Sequence, residues 1–371
     1  MNKVIYNNCV NTDMYYVSPV RAHDPYFYIN VSGKEYVFLD HREIGVFEEE
    51  NKNINMEAVL LNPLVTGAEL NVDKTSMANR IALAIFKKFG LDKETVAVPA
   101  HFPLDMADYL RSKNIILEVL SPFWPERAVK NNREIEAIRD ANVRTQKGFK
   151  RIEEILREAT IEGELLKYRG EVLNSEIMKA EVEQIHLAND MVNDSGFIIA
   201  SKDQAAIPHH EGHGPIYANQ PIICDIFPRH RATNFYADIT RTYVKGTPTD
   251  EMQKIYDTVK KSQELGISLV KSGVKGSDIH KACAQAFLDA GFDVGDKGFI
   301  HGTGHGLGLD VHEFPHVKAE FNHVLEPCNV VTIEPGLYYP GRGSARIEDD
   351  ILVTDSGSLN LTDYPKFLEI P

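Results

Sequence analysis

His301-Gly-Thr-Gly-His305-Gly-Leu-Gly-Leu-Asp-Val-His312-Glu313 sets three histidines among four glycines. Glycine permits tight backbone conformations closed to other residues. Neutral imidazole is a common metal ligand and a proton carrier near neutral pH. A glycine-rich turn with solvent-exposed histidines is the plain alternative. A phosphate loop is another, but the lysine of a Walker motif is missing.

Working outward, carboxylates recur in apolar, strand-like surroundings. Asp225 sits in Ile-Ile-Cys-Asp-Ile-Phe and Asp238 in Tyr-Ala-Asp-Ile-Thr-Arg-Thr. A charged aspartate in a buried strand costs several kcal/mol unless it is paired or bound to metal. The segments 222–227 and 237–244 read as a hairpin, in which the two carboxylates face each other within ~5 Å. Two bare carboxylates so close repel, and a divalent cation removes the conflict. The alternative is one aspartate paired with Arg241 and the other at a strand end. Downstream, Glu334 follows Val-Thr-Ile and precedes Pro-Gly, at a strand end. In Arg346-Ile-Glu348-Asp349-Asp350 the two-residue strand period puts Arg346, Glu348 and Asp350 on one face. Asp225, Asp238, Glu334, Glu348 and His305 together form a set suited to Mn, Co, Zn or Fe(II). Four negative charges balance two dications, and two metals ~3.5–4 Å apart can share bridging carboxylates and a water of lowered pKa.

The rest of the chain reads as two domains, 1–124 and 125–371, as its 371 residues suggest. Strands are expected over 26–31 and 35–39, a helix over 77–89, and short strands over 96–99 and 115–119. Ser121-Pro-Phe-Trp-Pro125 breaks the pattern as a linker, since two prolines cannot lie inside a helix or central strand. Asn131 and Glu134 are spaced as a capping box ahead of a helix with Ile135, Ile138, Ala141, Ile152 and Ile155 inward. A second helix is expected from Leu165 to about Met191. Pro248 reads as the first residue of a further helix to about Val270, and Ser277 as the cap of another ending before Gly291. The last strands are expected over 330–334 and 346–354.

Composition bounds the class. Forty Lys+Arg against 54 Asp+Glu leave a net charge of −14, a poor footing for nucleic acid. The apolar runs 81–86 and 197–200 fall well short of the ~20 residues of a membrane span. The N-terminus lacks the apolar core of a secretory signal. Four cysteines without CxxC spacing argue against a disulfide framework or a thiolate zinc site. A cytoplasmic protein is expected.

In this order the blocks IICDIF, YADITRT, HGTGHGLGLDVHE, TIEPGLY and ARIEDDILVT resemble those of the pita-bread metallopeptidases, in the aminopeptidase P and prolidase branch. The resemblance spans about residues 129–371, and the first half is similar to the smaller creatinase-type α/β domain of that branch. It implies an α/β (α+β) protein whose second domain wraps helices around a curved antiparallel sheet. It implies two divalent ions, Mn first and Co, Zn or Fe as alternatives, and hydrolysis of Xaa–Pro bonds in peptides by a metal-bridging hydroxide. By the resemblance Asp225 would hold one ion with both oxygens, Asp238 and Glu348 would bridge, and His305 and Glu334 would complete the second. Glu334 would take a proton from the attacking water. His209 and His312 would contact substrate and stabilise the tetrahedral intermediate, with His210 and His213 as alternatives to His209. Arg346 would brace Asp238 and the bridging glutamate, and His301 would be a nearby substrate-side group. A homodimer is also implied.

The chain departs from the family pattern in three ways, one of them a segment before Asp225, after His209, that is one residue shorter than usual. Asp225-Ile-Phe227 replaces the usual Asp-x-Gly, and the aspartates are thirteen apart rather than eleven. Both changes bear on the substrate rim. An even insertion keeps the strand phase. Two other functions compete: a creatinase-like hydrolase without metal, and an inactive pita-bread interaction protein. Both types lose ligands, and all five are present here.

Overall fold

The computed structural model describes residues 1–18, 20–62 and 75–371. The chain divides into two compact units, Met1–Pro125 and Glu126–Pro371.

In the first unit six strands run in the spatial order Met56–Leu60, Lys34–Leu39, Tyr26–Val31, Asn2–Asn7, Thr95–Pro99 and Ile116–Leu120. The sheet is mixed: Tyr26–Val31 pairs antiparallel with both neighbours, while the pairings at either side are parallel. Strand alternation splits the apolar residues between two cores. Phe27, Ile29 and Phe38 pack under the helix Met77–Lys88. Tyr26, Tyr28, Val37 and Leu39 meet Phe123 and Trp124 on the other face. The proline-rich segment expected as the linker also supplies two core aromatics.

The second unit begins with the helix Asn132–Glu158, closed at its start by the full Asn131–Glu134 capping box. Ile135, Ile138, Ala141, Ile152 and Ile155 are all buried, the 3.6-residue stripe read from the sequence. The helix expected from Leu165 starts ten residues later, at Ser175, and ends at Leu187. A small three-stranded sheet, Thr160–Glu162, Leu165–Tyr168 and Glu171–Val172, takes its place. Arg169 and Gly170 both adopt positive φ there, a tight hairpin turn that ends any helix.

Two further helices, Asp250–Leu269 and Gly276–Asp289, pack on one another and on the sheets. The first starts at Asp250, not at Pro248, and Thr249 caps it: its side chain accepts the Met252 N–H. The second starts one residue before Ser277, whose buried hydroxyl bonds Asn322 instead of capping.

Two sheets carry the site. One has the order Ile198–Ser201, Ile222–Ile226, Ile239–Lys245, Glu369–Ile370. The other has the order Glu313–Val317, Gly304–Gly306, Val330–Ile333, Asp349–Val353, Ser358–Asn360. All pairings are antiparallel except that of the C-terminal strand. The hairpin Gly336–Tyr339/Gly343–Arg346 lies beside them, and a bridge between Thr240 and Glu348 ties the two sheets.

Candidate active site

The hairpin 222–226/239–245 sets the site's floor. Ile222, Cys224, Ile226, Ile239 and Tyr243 face the core beneath the helices. Alternation then turns Asp225, Asp238 and Thr240 to the opposite face. The register pairs Asp225 with Thr240, so Asp225 and Asp238 are diagonal neighbours on one face rather than directly opposed. On the other side Asp225 lies opposite Ile198.

The glycines of the histidine stretch do a different job from the one expected. Gly302, Gly304, Gly306 and Gly308 are absent from the positive-φ residues. Their role is close approach: a Cβ on Gly304 would collide with the Thr332 carbonyl, and one on Gly306 with the carbonyls of Glu313 and Phe314. The strand bearing His305 can therefore press flat between its neighbours.

Asp225, Asp238, His305, Glu334 and Glu348 line one cavity of about 610 Å³, with His209, His301, His312 and Arg346. Ligand-type atoms of Asp238, His305 and Glu348 lie within 4.8 Å of one another. His305 Nδ1 is 3.1 Å from the Gly306 carbonyl, which requires Nδ1 to donate. Its Nε2 then points a lone pair toward Asp238 Oδ2 at 3.7 Å and Glu334 Oε1 at 3.5 Å. Burial pushes His305 down to about 3, so protonation does not resolve the contact. Asp225 Oδ1 and Asp238 Oδ1 are buried with no hydrogen-bond partner. Burial, then the charges of Glu348 and Asp225, raise Asp238 well above the carboxylate range. Glu348 is raised in the same sense by burial and Glu334. Glu334 is pushed up to about 8, chiefly by burial. A multivalent cation would satisfy the orphaned acceptors, the inward lone pair and the crowded carboxylates together. The residues present fit a metal site.

Arg346 differs from its expected role. It bonds Asp225 Oδ2 through Nη2 at 2.5 Å and the Tyr338 hydroxyl through Nη1 at 2.6 Å, rather than bracing Asp238 and Glu348. One oxygen of Asp225 is thereby engaged, where both were expected to face metal. Thr240 holds the glutamate instead, its hydroxyl donating to Glu348 Oε2 at 2.8 Å. His301 lines the cavity, yet both ring nitrogens are taken. Nδ1 donates to the Gly302 carbonyl at 2.7 Å, and Nε2 accepts from the Tyr338 hydroxyl at 2.9 Å. It supports Tyr338 rather than offering a free nitrogen to substrate.

His312 packs its ring against His305 at 4.2 Å, and burial lowers its pKa. Of the three neighbouring histidines, His209 lines the cavity and His210 and His213 do not. His210 Nδ1 accepts the Gly212 N–H.

Tyr338 and Thr240 are not singled out by the sequence, and Asp350 is placed on the right face there but given no role. Asp350 is fully buried and accepts the Asp238 N–H at 3.1 Å and Asn142 Nδ2 at 2.8 Å. Strand alternation from Glu348 already put Asp350 on the site's face. Tyr338 lies within the quoted TIEPGLY block, but its link to Arg346 depends on Gly336. A Cβ on Gly336 would meet the Tyr338 ring, so its absence lets the ring lie back toward Arg346.

A creatinase-type α/β unit followed by an antiparallel-sheet unit with this buried acidic pocket defines a pita-bread metallopeptidase. Residues 136–355 match Metallopeptidase family M24, and the chain belongs to that family. An uncharacterized peptidase of Staphylococcus haemolyticus is 30% identical over 91% of this chain and 87% of its own length. A probable dipeptidase PepE of Mycobacterium bovis is 30% identical over 73% of this chain and 68% of its own. The solved prolidase of Pyrococcus horikoshii is 25% identical, covers 99% of this chain and 95% of its own, and superposes with a TM-score of 0.79.

Proposed function

We propose that the protein is a dinuclear metallopeptidase that hydrolyses Xaa–Pro bonds in short peptides. The observation that carries the metal part is the His305 Nε2 lone pair set between Asp238 and Glu334 beside two orphaned carboxylate oxygens. The Xaa–Pro part draws on the similarity to a prolidase and to a probable dipeptidase.

Asp225, Asp238, His305, Glu334 and Glu348 would hold the ions, with Asp238 and Glu348 shared between them. When bound, divalent ions supply Lewis acidity, lowering the pKa of water and polarising a carbonyl. Glu334 accepts the proton of the attacking water on its carboxylate and passes it to the leaving amine. His312 and His209, on the cavity wall, donate hydrogen bonds to the oxygen that gains charge as the carbonyl is attacked. Arg346 and Tyr338 keep Asp225 in one rotamer, and Thr240 does the same for Glu348. Mn is the first candidate ion. A homodimer and a cytoplasmic location complete the proposal; four free cysteines suit a reducing compartment.

The test is a peptide panel varying length and the residue after the cut, with metal analysis on the same preparation. Cleavage restricted to Xaa–Pro, lost in chelator and restored by divalent ions, is expected. Preferred cleavage without proline would overturn the specificity. Undiminished activity in chelator would overturn the metal chemistry. Sedimentation of the same preparation reads the dimer.

A further inference from the structure

Arg241 is only 1% exposed and is the largest fully buried side chain among the described residues. It lies on the face of its strand opposite Asp238 and Thr240, away from the cavity. All five of its N–H donors are used. Nε donates to the Pro365 carbonyl at 2.9 Å. Nη1 donates to the carbonyls of Thr240 at 2.9 Å and Glu348 at 2.7 Å. Nη2 donates to Asp349 Oδ1 and to the Tyr364 carbonyl, both at 2.8 Å. Four of the five acceptors are backbone carbonyls, drawn from three separate segments of chain.

We infer that Arg241 is a positioning residue for the reaction, aiming Glu348 into the ligand cluster from the reverse side of the sheet. This rests on the reading of Glu348 as a metal ligand. Nη1 spans the two carbonyls of the Thr240–Glu348 bridge, the contact that joins the two sheets. Within that bridge the Glu348 N–H donates to the Thr240 carbonyl at 3.1 Å, and the Thr240 hydroxyl holds the Glu348 carboxylate. Glu348 is thereby fixed at its N–H, its carbonyl and its carboxylate at once. It stands between the two strands Gly343–Arg346 and Asp349–Val353, so no continuous ladder fixes it otherwise.

The far end of the guanidinium is anchored in turn. Asp349 takes Lys366 at 2.5 Å, Gln263 at 3.1 Å and Asn360 at 2.9 Å on its other oxygen. Segment 364–366 therefore anchors the guanidinium and Asp349 on the face of the sheet away from the cavity. Lysine in place of Arg241 would keep the charge beside Asp349. It has three donors on a single nitrogen and cannot span carbonyls on two sides of a planar fork.

The test compares Arg241→Lys and Lys366→Met with the unsubstituted full chain. It reads the Mn²⁺ concentration at half of the metal-induced rise in melting temperature, the melting temperature in chelator, and kcat and KM on an Xaa–Pro dipeptide. For Arg241→Lys the Mn²⁺ requirement should rise and kcat fall, each by about tenfold, with KM within about threefold. Lys366→Met touches Asp349 but no atom of Glu348. It should lower the melting temperature in chelator and leave the Mn²⁺ requirement within about twofold. An Arg241→Lys protein that behaves like Lys366→Met overturns the inference. So does one that is unfolded with and without Mn²⁺, which makes Arg241 purely structural. An unsubstituted protein that gains no stability from any divalent ion removes the metal reading itself. That failure is visible before any variant is made, and the inference falls with it.

Discussion

Arg346 Nη2 sits 2.5 Å from Asp225 Oδ2, a residue 121 positions earlier, and both side chains are largely buried at 3% and 13% exposure. The same guanidinium bonds the Tyr338 hydroxyl, which donates to His301 Nε2. One chain of hydrogen bonds thus runs from the Gly302 carbonyl through His301, Tyr338 and Arg346 to Asp225. Tyr338→Phe removes the middle link and leaves the ring in place. It should lower kcat about 10- to 100-fold with metal content retained, because the hydroxyl orients a ligand without being one. Arg346→Met should cost more and lose metal, since it leaves Asp225 buried beside an unpaired cavity wall. Steady-state kinetics and metal analysis on both variants decide it. Equal kcat for Tyr338→Phe and the unsubstituted enzyme would remove Tyr338 from the site.

Crowding of Asp238 against Glu348 and Asp225 makes a prediction about the metal-free protein. Asp238→Asn removes one titratable carboxyl from the crowded cluster, so the melting temperature in chelator should hold or rise. The stabilisation on adding divalent ion should then largely vanish. In the unsubstituted protein that gain should be about 2.7 kcal/mol per ion at a hundred times its dissociation constant. Scanning calorimetry with and without Mn²⁺ reads both numbers. A full metal-induced shift in Asp238→Asn would mean that Asp238 bridges nothing.

The ligand candidates were legible because a carboxylate inside an apolar strand is costly enough to demand an explanation. Asp225 in IICDIF and Asp238 in YADITRT show that cost within six or seven residues. Arg241 shows nothing of the kind locally. Strand alternation already separates it from Asp238, but its partners Asp349 and Tyr364 lie 108 and 123 residues away, and only the fold brings them to it. The segment from Leu165 misled for another reason. Its short apolar runs fit either period, and the decisive signal is the turn at Arg169-Gly170, whose two successive positive φ angles suit a two-residue hairpin. The glycines around His305 were visible, but their crowding against Thr332, Glu313 and Phe314 belongs to tertiary packing.

Away from the site, His186 packs against Gly148, where a Cβ would approach Nε2 to 2.5 Å and Val182 Cγ1 to 3.1 Å. Gly148→Ala should therefore destabilise by about 1–3 kcal/mol, as overpacked cores do. Burial lowers the His186 pKa below 6.5, against smaller upward pulls from Asn193, Thr145 and Glu183. The sign follows: below the unfolded value the unfolded chain takes up a proton that the folded ring refuses. This contribution is fully present above about pH 6.5 and is lost as pH falls from there through the folded value. His186→Leu loses the ring's hydrogen bonds and is less stable throughout. Its melting temperature should nonetheless fall less steeply between about pH 7 and 5 than that of the unsubstituted protein. Parallel curves would show that the ring does not titrate with unfolding.

Phe227 gives the substrate rim its own character. It lies two residues beyond Asp225, so strand alternation carries it to the same face, and it lines the cavity half-buried. Ile198, opposite Asp225, adds a second apolar wall. The Ala237 N–H donates to the Pro228 carbonyl and the Tyr236 N–H to the Gly308 carbonyl, which draws the loop bearing Val311 toward the same corner. None of these three side chains can hold a metal or move a proton, so their effect falls on binding. Phe227→Gly, the residue the family usually has there, should weaken peptides with a bulky apolar residue before the cut by about 1–2 kcal/mol, roughly five- to thirtyfold in KM. Gly–Pro, with no side chain to lose contact, should keep its KM within about twofold, and kcat should change little for either. A uniform loss of kcat across the panel would show instead that Phe227 supports Asp225, because a wall acts only on the side chains that reach it.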